Sequence, residues 1–97
     1  RGNGFYILDE PEAALSPVRQ LTLLIEINNL VKNNSQFIIA THSPILLAYP
    51  DAQIYNLDSG IERIEYAETE QYKMTKNFLD NPNIFIERLF DSDFSTD

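Results

Sequence analysis

Two short runs of consecutive apolar residues, Phe5-Tyr6-Ile7-Leu8 and Phe37-Ile38-Ile39-Ala40, constrain this chain more than any other feature. Each ends abruptly in a polar cluster, Asp9-Glu10-Pro11 after the first and Thr41-His42-Ser43 after the second. A run apolar on both faces is the pattern of a strand buried in a parallel sheet rather than one facing water. Between the runs, Ser16-Pro17 offers a hydroxyl at the N-cap and proline at the first helical position. Val18, Leu21, Leu24, Ile25, Leu30 and Val31 then recur at helical spacing as far as about Lys32, with Asn33-Asn34 to close the helix. A helix of that length is a suitable crossover between parallel strands, so a right-handed β-α-β unit is predicted.

Beyond it, Ser43-Pro44 repeats the hydroxyl-then-proline device and predicts a short apolar helix over 45–48, ended by Pro50. Ile54-Tyr55-Asn56-Leu57 reads as a third strand and Asp58-Ser59-Gly60 as a turn. Residues 61–66, alternating in polarity, read as a fourth strand paired with the third in an edge hairpin. After Ala67 the period becomes helical over about 69–79, Pro82 opens another helix through Phe90, and residues 91–97 are polar and expected to fray. The fold class is therefore α/β, with a parallel β-α-β core, a hairpin and terminal helices.

A chain of 97 residues suffices for one small domain. It opens on Arg1 and reaches its first strand almost at once, which suggests an incomplete chain. Seven basic against fifteen acidic side chains give a net charge of −8, the wrong sign for a surface that neutralises a phosphate backbone. The excess sits late: residues 58–97 carry ten acidic and four basic side chains. A nucleic-acid groove in this segment is thus disfavoured. No apolar stretch approaches the roughly 20 residues of a membrane span, and there is no secretory pattern. The absence of cysteine removes disulfides and thiolate metal sites, making a cytoplasmic protein the default expectation.

In a parallel α/β sheet, ligands bind beyond the carboxyl ends of the strands, where both polar clusters fall. An arbitrary Asp-Glu pair is ordinarily a solvated turn. At the end of a buried strand, however, one carboxylate can reach a hydrated Mg²⁺ while the next, aimed elsewhere by the pleat, orients or deprotonates a water, the two tasks that phosphoryl transfer requires. A lone histidine is ordinarily a packed or surface imidazole. His42, at a neighbouring strand end, is also suited to donate a hydrogen bond to a phosphate oxygen. Metal ligation is the weaker alternative, there being no second His and no Cys.

With these residues in view, Phe5-Tyr6-Ile7-Leu8-Asp9-Glu10-Pro11 resembles the Walker B strand of ABC-class ATPases. Ala13-Ala14-Leu15-Ser16 falls where that family has its D-loop, and Phe37-Ile38-Ile39-Ala40-Thr41-His42-Ser43 resembles its switch-histidine strand and loop. The wording is most similar to stand-alone bacterial ATPases of this type. The resemblance implies that Asp9 holds Mg²⁺ through water, that Glu10 is the catalytic base, and that His42 contacts the γ-phosphate of ATP. It further implies that Ala14, Leu15 and Ser16 touch a partner subunit. Against the common Ser-Ala-Leu-Asp form, the first position is Ala13 and the last is Ser16. Ser16 is equally explained as a helix cap, and the two roles are compatible.

Neither the phosphate-gripping G-x-x-x-x-G-K-[ST] loop nor a Leu-Ser-Gly-Gly-Gln signature occurs. The resemblance thus implies that residues 1–97 are the C-terminal part of a three-layer P-loop NTPase domain, inactive alone and working with its missing N-terminal half as a nucleotide-sandwich homodimer. Transport, DNA repair and phage defence all remain open for the parent, as does a transporter or nucleic-acid partner. The alternative is a non-catalytic dimerisation or regulatory module; a toprim-type nuclease would need further acidic motifs, and none is evident. In the family's strand order a phosphate-loop strand lies between the strand at 37–40 and the one at 54–57. Here those two are expected to flank a gap, closed by direct pairing, by swapping or, as favoured, by association with other chain.

Overall fold

The structure, a computed structural model, describes residues 3–91, which form two compact units meeting in sequence between Ile64 and Glu65. In the first, β1 (Phe5–Asp9) and β2 (Gln36–Ala40) pair in parallel, with Phe5 opposite Gln36 and Asp9 opposite Ala40. The ladder runs one bond past each end, Gln36 N donating to Gly4 O (2.9 Å) and Glu10 N to Ala40 O (2.6 Å). Gly4 sits in a close approach: a Cβ there would lie 2.7 Å from Tyr6 Cε2 and force the ring to shift, and the Tyr6 ring stacks on Phe37 with centroids 4.8 Å apart.

The crossover α1 (Pro17–Lys32) begins and ends as its sequence dictates. Ser16 Oγ accepts from Arg19 N (3.2 Å), and Pro17 occupies the first position, where no backbone donor is needed. At the other end Asn34 is left-handed (φ 70°). Its N–H bonds Val31 O and the Ser35 N–H bonds Leu30 O, both at 3.0 Å, a Schellman closure. Ser35 is buried, its hydroxyl accepting from Gly4 N at 3.1 Å. Burial follows the pleat. Tyr6, Leu8, Phe37 and Ile39 are half-buried, as are Leu23, Leu24 and Leu30 of α1 around fully buried Ile27, whereas Phe5, Ile7 and Ile38 on the opposite face are exposed. The sheet is thus covered on one face and bare on the other.

The apolar helix expected at 45–48 is a single 3-10 turn, Leu46–Ala48. Ser43 Oγ takes the N–H groups of both Ile45 and Leu46 (3.1 Å each), and Pro50 bars continuation. Leu46 is the second buried apolar residue of this unit. β3 (Ile54–Asn56) and β4 (Glu62–Ile64) form the expected antiparallel hairpin, with Asn56 Oδ1 accepting from Asp58 N and Gly60 at φ 110° making the turn. β2 and β3 lie in separate sheets, so direct pairing is not how the gap expected between them is closed.

β4 stops short of the expected residue 66. Thr69 draws Tyr66 to Glu68 into a turn, its N–H and hydroxyl both donating to Tyr66 O, at 3.1 and 2.7 Å. That turn belongs to the second unit, where Thr69 Oγ1 accepts from Tyr72 N to cap α2 (Glu70–Asp80), and α3 (Pro82–Asp91) follows after Asn81. Phe78 and Phe85 meet edge to face at 5.6 Å and Tyr66 and Tyr72 at 4.9 Å. Asp91 ends α3 rather than beginning a frayed tail, and the rest of that expected tail, residues 92–97, lies outside the described residues.

Candidate functional site

Parallel pairing in this register brings the carboxyl ends of β1 and β2 side by side, so the loops beginning at Glu10 and Thr41 leave the sheet together. Asp9, the last residue of β1, is exposed, and the pleat puts it on the side of Phe5 and Ile7. Glu10 then turns the chain with φ 48° and ψ 55°, a left-handed conformation that a residue with a Cβ adopts at a cost of order 1–2 kcal/mol. The turn separates the two carboxylates and sends Pro11–Ala14 into one 3-10 turn, with Ala13 N bonded to Glu10 O (3.1 Å).

His42 stands opposite. Its Nε2 lies 3.9 Å from Glu10 Oε2, with the side chains 77% and 55% exposed. At that exposure the pair contributes little to stability; its significance is that groups 32 residues apart in sequence stand side by side beyond the carboxyl ends of the two strands.

The backbone carrying His42 is held by a residue that the sequence reading did not single out. Glu12 accepts from Thr41 Oγ1 through Oε1 (2.6 Å) and from the His42 N–H through Oε2 (3.0 Å). Burial pushes the Glu12 carboxyl up, but the bonds from Thr41, the His42 N–H and its own N–H, with the nearby His42 charge, outweigh it and leave the pKa below the ordinary glutamate value. Thr41 Oγ1 also accepts from Ser43 N (3.0 Å). Ser43, buried, donates its hydroxyl to Gln20 Oε1, and Gln20 Nε2 donates to Leu15 O (3.2 Å). Gln20, on the sheet side of α1, therefore links the segment containing Ala14, Leu15 and Ser16 to the loop of His42. An acidic residue in a tight turn and a glutamine at a helix start carry no sequence signal of their own. Both are defined by bonds to residues more than twenty positions away.

Among the described residues no group of three or more His, Asp or Glu side chains converges as a metal cage, and no helix is long and apolar enough to cross a membrane. A Mg²⁺ ion bound through water and nucleotide oxygens needs only one or two protein carboxylates, and the exposed Asp9 at the end of β1 could serve as one.

Strand, crossover helix and strand define the class as an α/β fragment, with a carboxylate pair beside a histidine at its strand ends. Residues 1–48 match the family described as "AAA domain, putative AbiEii toxin, Type IV TA system", a span that takes in β1, α1, β2 and the loops holding Asp9, Glu10, Glu12 and His42. This segment is similar to that ATPase family. No curated protein and no solved structure matches the chain.

Proposed function

We propose that the chain serves ATP hydrolysis, supplying the hydrolytic residues of an ABC-like, three-layer P-loop ATPase domain whose phosphate-gripping loop lies outside residues 1–97. The observation that carries this reading is the placement of Asp9, Glu10 and His42 at adjoining strand ends, with Glu10 and His42 separated by 3.9 Å. The family match over residues 1–48 supports it. Glu10 takes the proton of the attacking water, and His42 donates to an oxygen of the γ-phosphate, where charge develops as the bond breaks. Asp9 would hold Mg²⁺ through water, and the ion when bound supplies charge neutralisation at the phosphates. Ala14, Leu15 and Ser16 would meet the second subunit of a nucleotide-sandwich homodimer.

The test compares the 97-residue chain with the same chain joined to a phosphate-loop segment. The chain alone should show no Mg²⁺-dependent ATP turnover, because nothing positions the nucleotide. In the joined protein Glu10→Gln should nearly abolish hydrolysis while leaving ATP binding intact, and His42→Ala should also lower turnover. A Glu10→Gln protein that hydrolyses within a few-fold of wild type removes Glu10 from the role of base.

A second reading, a non-catalytic dimerisation module, draws on the bare apolar face of Phe5, Ile7 and Ile38. A joined protein that dimerises but never turns over ATP would favour it.

A further inference from the structure

Past Asp9 and Ala40 the ladder supplies only one more bond, Glu10 N to Ala40 O, so residues 41–43 must be held by other means. The means are side chains. On the carboxyl side of His42, Ser43 is fixed through Gln20 and through the N–H groups of Ile45 and Leu46. On the amino side, Glu12 alone among the described residues bonds both Thr41 and His42 through its side chain, one oxygen to each. The His42 ring is largely exposed, and its nearest charged neighbour, Glu10, is 3.9 Å away, too far for a hydrogen bond to hold it. Its location is therefore set through its backbone.

We propose that Glu12 is the positioning residue of the site: by tying the turn after β1 to the loop after β2, it sets where His42 stands relative to Glu10. This rests on the reading of Glu10 and His42 given above, and it adds a residue that touches no reacting atom. The chemistry separates reach from charge. Glutamine keeps the length of Glu12; its oxygen accepts from the His42 N–H, and its amide donates to Thr41 Oγ1, which has a lone pair free beside the one that receives Ser43 N–H. Aspartate keeps the charge but is one methylene short of a pair of bonds at 2.6 and 3.0 Å. A tether needs reach; an electrostatic or metal-holding carboxylate needs charge.

The experiment uses Glu12→Gln, Glu12→Asp and Glu12→Ala. In the 97-residue chain, amide exchange and chemical shift of His42 are read by NMR without nucleotide. Exchange should quicken about tenfold or more in the Ala and Asp variants and stay within about threefold of wild type in Gln. In the joined ATPase, Ala and Asp should lower kcat about tenfold with KM for ATP within about twofold, and Gln should recover most of the loss. An unchanged His42 amide in Glu12→Ala overturns the proposal whatever the ATPase does, and so does rescue by Asp but not Gln. Should Glu12→Ala fail to fold, the Gln and Asp pair decides alone. A Glu10→Gln protein that still hydrolyses ATP would instead sink the reading of the site, leaving the NMR result for Glu12 intact.

Discussion

Glu10 leaves β1 in a left-handed conformation that glycine would adopt freely. Glu10→Gly should therefore leave stability unchanged or raise it by up to about 1 kcal/mol, and Glu10→Val should lower it by more than about 1 kcal/mol, as read by urea denaturation. Glu12 makes a different prediction, in pH. Its folded pKa is depressed, so its contribution is full above the ordinary glutamate value of about 4.3 and is lost as pH falls through the lower folded value. Between pH 6 and pH 3 the His42 amide should lose protection as the Glu12 carboxyl titrates, its midpoint lying below that of a glutamate in the unfolded chain. In Glu12→Gln this step should be absent.

At the scale of the element, α1 is defined by its ends. Removing the Ser16 hydroxyl should cost about 1 kcal/mol, whereas Ser16→Asp, which still caps, should stay within about 0.5 kcal/mol of wild type by thermal denaturation. If the proposed partner contact by Ala14, Leu15 and Ser16 holds, a change in dimer formation in the Asp variant without a loss of stability would separate that contact from capping. The ends of α1 were readable in advance because Ser16-Pro17 and Asn33-Asn34 act on their own neighbours, and the parallel pairing because both runs are apolar on two faces. Asp9, Glu10 and His42 were readable as strand-end residues for the same reason. Glu12 was not: its partners come from the far side of the crossover, and a lone acid in a turn looks like solvent-facing charge. Nor was the early end of β4, since the turn that replaces its last residues is closed by Thr69, whose N–H and hydroxyl both donate to Tyr66 O.

For the molecule, the first unit has more apolar surface than it covers. Ile7 is 69% and Ile38 57% exposed on the sheet, and Val18, Leu21 and Ile25 make a bare stripe at i, i+3 and i+7 on α1, away from buried Ile27. Uncovered surface of this kind favours association. Sedimentation at micromolar concentration should show species larger than a monomer, and Ile7→Thr with Ile38→Thr should shift the balance toward monomer. A monomeric wild type with slowly exchanging Ile38 and Tyr55 amides would show that the chain needs no other cover.

The register of the parallel pair carries one more consequence, for how the chain reaches this structure. Every partner in the ladder, from Phe5 with Gln36 to Asp9 with Ala40, is 31 positions away along the chain, while β3 and β4 meet across a short turn and α1 forms from neighbours alone. Loop closure makes such distant pairing slow, and it yields nothing until the helix between is in place. Hairpin and helix should thus appear early in refolding, and β1 with β2 late and together. Glu10 and His42 meet only at that last step, so a refolding experiment that follows the His42 amide should see the site and the slowest phase arrive at one rate.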